Sequence, residues 1–195
     1  MKIGIRTVML KKFFDLPIWI HAAVTAGVLA AFQAIKGRLD ALYAASGHPV
    51  DYATGQLAFD GDLIKGYYAV MDGKGTLDVY VSTQQFDYLF MLGIAALGLC
   101  LGTLIGRLSR DGSWGRRIGV GVAFAAMAGA CFDAVENAVS FVMLAQPETF
   151  SNALALPYSG FAAAKFMMIT LAMALLLVSL FSAGAGRLLG KPKIG

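Results

Sequence analysis

The sequence predicts an all-α membrane protein: a four-transmembrane-helix bundle, N-in/C-in, with a small α+β outward-facing cap between helices 1 and 2. Three observations carry that expectation. Of 195 residues, 58% are hydrophobic and only 14% charged, which is not the composition of a soluble domain. Four apolar runs each match or exceed the ~20 residues that cross ~30 Å of hydrocarbon. The basic residues, finally, are spread unevenly over the segments between those runs.

The runs are Leu16 to Ile35, Asp87 to Gly106, Ile118 to Ala145 and Tyr158 to Ala183, set in one membrane domain, residues 1–195, with an extracytoplasmic insertion at about 36–86. Lys2, Arg6, Lys11 and Lys12 precede the first; Arg107, Arg110, Arg116 and Arg117 separate the second from the third; Arg187, Lys191 and Lys193 follow the fourth. The insertion carries Lys36, Arg38, Lys65 and Lys74 against six aspartates, and the third connection has no Lys or Arg. The positive-inside rule therefore places both termini in the cytoplasm. Basic residues used as membrane flanks give no reason to expect nucleic acid. Basic residues before an apolar run also fit a signal peptide, but no small-x-small cleavage site follows at the right distance, so an uncleaved anchor is expected. Trp19 and Trp114 are expected at the inner interface, Tyr88 and Tyr158 at the outer one.

Within the insertion, "GQLAF" (Gly55 to Phe59) reads as a short strand and Asp60 as the cap of a helix through "GDLIKGYYAVM". "DGKG" (Asp72 to Gly75) is a turn signal, and "TLDVYVS" alternates Leu77, Val79 and Val81 with more polar neighbours, the period of a half-buried strand. In the second run, Gly98, Gly102 and Gly106 recur every four residues and form one close-approach face. That face serves packing within the chain or a homo-oligomer or membrane partner.

The third run breaks its own apolarity with "ACFDAVENAVSFV". Asp133, Glu136, Asn137 and Ser140 fall three and four residues apart, hence on one helical face. At ~1.5 Å per residue, Glu136 lies ~14 Å and Lys165 of the fourth run ~10 Å below the outer surface, close enough in depth to pair. Asp87, with Gln84 and Gln85, opens the second run, and Gln33 lies near the outer end of the first. Ionised groups at mid-membrane cost about 2.5–3.5 kcal/mol each, so these need partners, water or a ligand. The expected site is an outward-opening polar pocket with Asp133 and Glu136 as candidate acid and base. Asn137, Lys165, Asp87 and Ser140 are its candidate ligand-binding groups. No metal or other cofactor is expected, because Lys165 would compete with a cation for the oxygens and His21 and His48 are assigned to opposite sides. Ser140 and Ser159 have no histidine at matching depth to serve as base.

Three functions remain open on these residues. The pocket binds a membrane lipid, isoprenoid or similar amphiphile, with Lys165 meeting an anionic or carbonyl head. It performs proton transfer or isomerisation on such a ligand. Or the cluster only locks the helices of an accessory subunit in register.

The stretches "GYYAVMDGKGTLDVYVSTQQFDYLFM", "FDAVENAVSFVMLAQPETF" and "YSGFAAAKFMM" resemble a family of small four-span bacterial membrane proteins. Members carry an aromatic-flanked Asp opening the second span, D-x-x-E-N in the third and a Lys in the fourth. The resemblance implies a multi-pass location in the bacterial inner membrane and singles out Asp87, Asp133, Glu136, Asn137 and Lys165. It implies no reaction.

Overall fold

The computed structural model describes residues 14–109 and 112–188, with side chains to 184. Lys2, Arg6, Lys11, Lys12, Arg110, Lys191 and Lys193, which entered the charge asymmetry, lie outside the described residues, as does the side chain of Arg187. Six α-helices are described: α1 Ile18–Ser46, α2 Tyr52–Gln56, α3 Gly61–Gly73, α4 Leu77–Arg107, α5 Trp114–Leu144 and α6 Ala155–Leu188, with a 3₁₀ turn Asn152–Leu154 before α6. Four of them, α1, α4, α5 and α6, are long and apolar enough to cross a membrane, and the chain is a multi-pass membrane protein.

The predicted α+β cap is corrected by the structure: among the described residues, the segment between α1 and α4 contains helix and turn but no strand. "TLDVYVS" begins α4. Its short alternation is overruled by the longer pattern Tyr80, Thr83, Gln84, Asp87 and Met91, all buried, which has the i, i+3, i+4, i+7 spacing of a helix face. The first helix also runs past the expected Ile35 to Ser46. It stops at Gly47, whose φ of 63° is the left-handed conformation that closes helices, with Pro49 two residues on. Asp60 caps α3 as expected, its carboxylate accepting from Asp62 N (2.9 Å) and Leu63 N (3.2 Å). "DGKG" turns as expected, with Gly75 at φ 67° and its N–H donating to Asp72 O (2.8 Å).

The chain divides into two compact units. Unit 1 comprises residues 1–30, 94–127 and 168–195. Small residues let helices meet there: Cβ atoms placed on Gly98 and Gly102 would collide with Ala126 Cβ and with the Gly119 carbonyl, and one on Gly106 would lie 3.4 Å from Arg116 O. The glycine face of α4 is thus filled by α5 of the same chain. Val122, Ala125, Ala126 and Ala172 form the small core beside it. His21 is fully buried, its Nε2 3.2 Å from Cys100 O and its Nδ1 3.2 Å from Arg107 Nη1. Arg107 can only donate, so Nδ1 accepts and Nε2 carries the hydrogen. Trp19 and Trp114 are 70% and 76% exposed, as interfacial anchors should be.

Unit 2 comprises residues 31–93 and 128–167. Its core is aromatic and sulfur-rich: Tyr68, Met71, Tyr80, Met143, Phe150 and Tyr158 are buried around Ile64. Tyr158 is 2% exposed and therefore not an interfacial anchor; the ring is spent on this core, whereas Tyr88 is 38% exposed. The connecting segment is sewn to the helix ends. Tyr43 and Tyr52 stack at 3.7 Å between centroids, Tyr52 Oη donates to Leu39 O (3.1 Å), and Thr76 Oγ1 donates to Ser46 O (2.6 Å).

Candidate functional site

The polar residues of α5 do converge, inside unit 2. Lys165 Nζ of α6 donates to Asp133 Oδ1 at 2.8 Å and to Gln56 Oε1 at 3.1 Å, and is ion-paired with Glu136 Oε2. Two acceptors and one further carboxylate thus surround the ammonium, and all three partners of Lys165 belong to the cluster. Asn137 Nδ2 donates to Asp87 Oδ2 (2.9 Å) and to the Gln84 carbonyl (3.3 Å), and Gln84 Nε2 donates to Ser140 Oγ (2.8 Å). All these side chains are buried, Glu136, Asn137 and Ser140 completely.

Local sequence explains the placement. Asp133, Glu136, Asn137 and Ser140 share a face of α5 because helical spacing stacks them, and Gln84 and Asp87 share the buried face of α4 for the same reason. Gln33 and Gln85 do not join; both are exposed. The contribution from outside the spanning helices comes instead from Gln56, at the end of the short α2. That helix was legible: Asp51 accepts from Thr54 N (3.0 Å) and Thr54 Oγ1 (2.8 Å), the N-cap geometry that D-x-x-T announces. These two hydrogen bonds hold the Asp51 carboxyl below the usual carboxylate range. After α2, Phe59 adopts φ 53° and its N–H donates to Ser159 Oγ (3.0 Å), which gives this buried serine of α6 a structural partner.

The donor and acceptor count is unequal. Three carboxyl groups share this space with one ammonium, and both Glu136 carboxylate oxygens and Asn137 Oδ1 are buried without a hydrogen-bond partner among the described residues, Glu136 Oε2 being ion-paired with Lys165. What the cluster lacks is donors and positive charge. Among the described residues no group of three or more His, Cys, Asp or Glu side chains is arranged to hold a metal ion.

Two cavities on unit 2 have linings among the described residues, and no acid, amide or lysine of the cluster lines either of them. One, of about 530 Å³, runs along Phe141, Val142, Ala145, Phe150 and Leu154 with Gln146, Thr149 and Ser151. The other, of about 260 Å³, is bounded by Tyr68, Ala69, Asp72, Gln146, Pro147, Glu148 and Thr149. They share Gln146 and Thr149, so an apolar groove adjoins a more polar cavity. Tyr68 forms the wall between that cavity and the cluster. Its hydroxyl is buried close to Ser140 without a well-formed hydrogen bond, and burial raises its pKa above that of an ordinary tyrosine. No family model matches this chain, and no curated protein or solved structure is significantly similar to it.

Proposed function

We propose that this is an inner-membrane protein that binds a lipid-like or isoprenoid amphiphile in the paired cavities of unit 2, with both termini cytoplasmic and residues 47–76 outside. Membership of the four-span family with D-x-x-E-N in its third span belongs to the same reading. The observation that carries it is the adjoining of an apolar groove of about 530 Å³ and a more polar cavity of about 260 Å³ through Gln146 and Thr149. Binding sites for small molecules combine a mainly apolar lining with a few placed polar groups. Val142 and Leu156, 58% and 69% exposed, leave the groove's surroundings apolar, as acyl chains require. The orientation is supported by eleven basic residues in the three cytoplasmic segments against two, Lys65 and Lys74, in residues 47–76.

In this reading the buried cluster stands behind Tyr68 as the polar backing of the site, and Asp133 and Glu136 hold or move a proton for the bound ligand. A second reading is favoured by the engagement of Lys165 within the cluster: the cluster ties α6 to α5 and α2 and has no further role. Native mass spectrometry with lipid extraction decides between them. Wild type should retain a defined amphiphile that Ala145→Trp, which fills the groove, releases at unchanged folding. Retention indifferent to that substitution would remove the amphiphile reading and leave the structural one.

A further inference from the structure

Resting on that reading, we infer that the head of the bound amphiphile carries an ammonium group: the ligand is an amine-headed membrane lipid, seated between Asp72 and Glu148 with its chains in the adjoining groove. The charged side chains that line the polar cavity are these two carboxylates, and neither an Arg, a Lys nor a His lines it. The nearby cations face elsewhere. Lys74 Nζ donates to Gly47 O (2.8 Å); Lys65 Nζ is held by Asn152 Oδ1 (2.5 Å) and Asp62, and stands 5.1 Å from the centre of the Phe150 ring. A phosphate or carboxylate head placed alone in this cavity would meet like charge.

The buried cluster argues the same way from independent atoms. Lys165, the group expected to receive an anionic head, is already engaged by Asp133, Glu136 and Gln56 and lines neither cavity. Tyr68, which lines the cavity, keeps its hydroxyl buried without a hydrogen-bond partner, and Glu136 Oε1 and Asn137 Oδ1 of the cluster are buried acceptors in the same condition. Cavity and cluster are thus both rich in carboxylates and lone pairs. A head that brings N–H donors and positive charge complements them; an anionic one does not. The groove determines that the ammonium belongs to an amphiphile, because Phe141, Val142, Ala145, Phe150 and Leu154 offer a solute without chains nothing to bind.

The test is competition in mixed micelles read by native mass spectrometry, with phosphatidylethanolamine and phosphatidylglycerol of identical chains at equal mole fraction. Wild type should retain the ethanolamine lipid in about fivefold excess, the size two partly exposed ion pairs supply. Asp72→Asn with Glu148→Gln should bring the ratio to near one without changing total lipid bound. Equal retention in wild type, a preference for the glycerol lipid, or a preference untouched by the double substitution would each overturn the ammonium assignment. In all three cases, loss of lipid in Ala145→Trp would still support the groove. If Ala145→Trp also leaves the total unchanged, the amphiphile reading itself falls.

Discussion

Lys165 Nζ lies 2.8 Å from Asp133 Oδ1, and this one contact joins α6 to α5 through two side chains that are both buried. Removing the ammonium would leave Asp133 and Glu136 facing each other without their cation. Lys165→Met should therefore cost about 3–5 kcal/mol, the penalty for breaking a buried pair from one side. Adding Asp133→Asn and Glu136→Gln should recover much of that loss, because no unpaired charge remains. Thermal unfolding in detergent, followed by circular dichroism, measures both. A single variant that melts with wild type would show that Lys165 does not hold the helices together.

The close approach of α4 and α5 in unit 1 supplies a sharper contrast between two glycines. A Cβ at Gly102 meets the Gly119 carbonyl and lies 3.0 Å from Val122 Cβ, whereas one at Gly27 has nothing within 4 Å. Gly102→Ala should destabilise by about 1–3 kcal/mol through overpacking against backbone that cannot move aside. Gly27→Ala should be neutral or stabilise by up to about 1 kcal/mol, the helix-propensity gain of alanine over glycine. Equal effects at the two positions in the same melting assay would show that packing does not distinguish them.

These two regions also show what could be read without coordinates. The four spans follow from long apolar runs, and the cluster of Asp87, Asp133, Glu136, Asn137 and Lys165 follows from helical spacing and matched depth, because both depend on local periodicity. The connecting segment resisted for a physical reason. Leu77, Val79 and Val81 alternate over only five residues, and the helical face that decides their conformation, Tyr80 to Met91, becomes visible only in a longer window. The partner role of Gln56 depends on where a five-residue helix is laid down, which is a tertiary fact. The cavities, too, are products of packing between α5, α3 and the 145–154 turn, and no sequence pattern marks them.

His48 gives a dependence on pH. Its ring sits among Tyr43, Tyr67 and Tyr80, with centroids 5.1 to 5.4 Å away, and Nδ1 lies 2.9 Å from Val50 O. Burial lowers its pKa from the ordinary 6.5, and the Val50 carbonyl and the Asp51 charge only partly oppose that. The unfolded chain therefore binds the proton first as the solution is acidified. The stabilisation is fully present above pH 6.5 and is lost as pH falls through the lowered folded value. Thermal stability should drop as the pH falls below 6.5, and His48→Asn should flatten that slope. A slope that the substitution leaves intact would place the titration in another group.

Phe59 and Ser159 separate backbone strain from hydrogen bonding. A bulky residue at φ 53° is a genuine outlier, and half of the Phe59 side chain is exposed, so little burial compensates for the conformation. What does hold it is Ser159 Oγ, fully buried, accepting the Phe59 N–H at 3.0 Å. Ser159→Ala should strand that donor and cost about 1–3 kcal/mol. Phe59→Gly relieves the left-handed strain while keeping the N–H, and should cost less than Ser159→Ala or stabilise. Hydrogen exchange at residues 52–60 reads the same contrast locally: faster opening in Ser159→Ala, wild-type protection in Phe59→Gly. If Phe59→Gly opens the segment as much as Ser159→Ala does, the phenylalanine ring, not the serine, anchors the chain between α2 and α3.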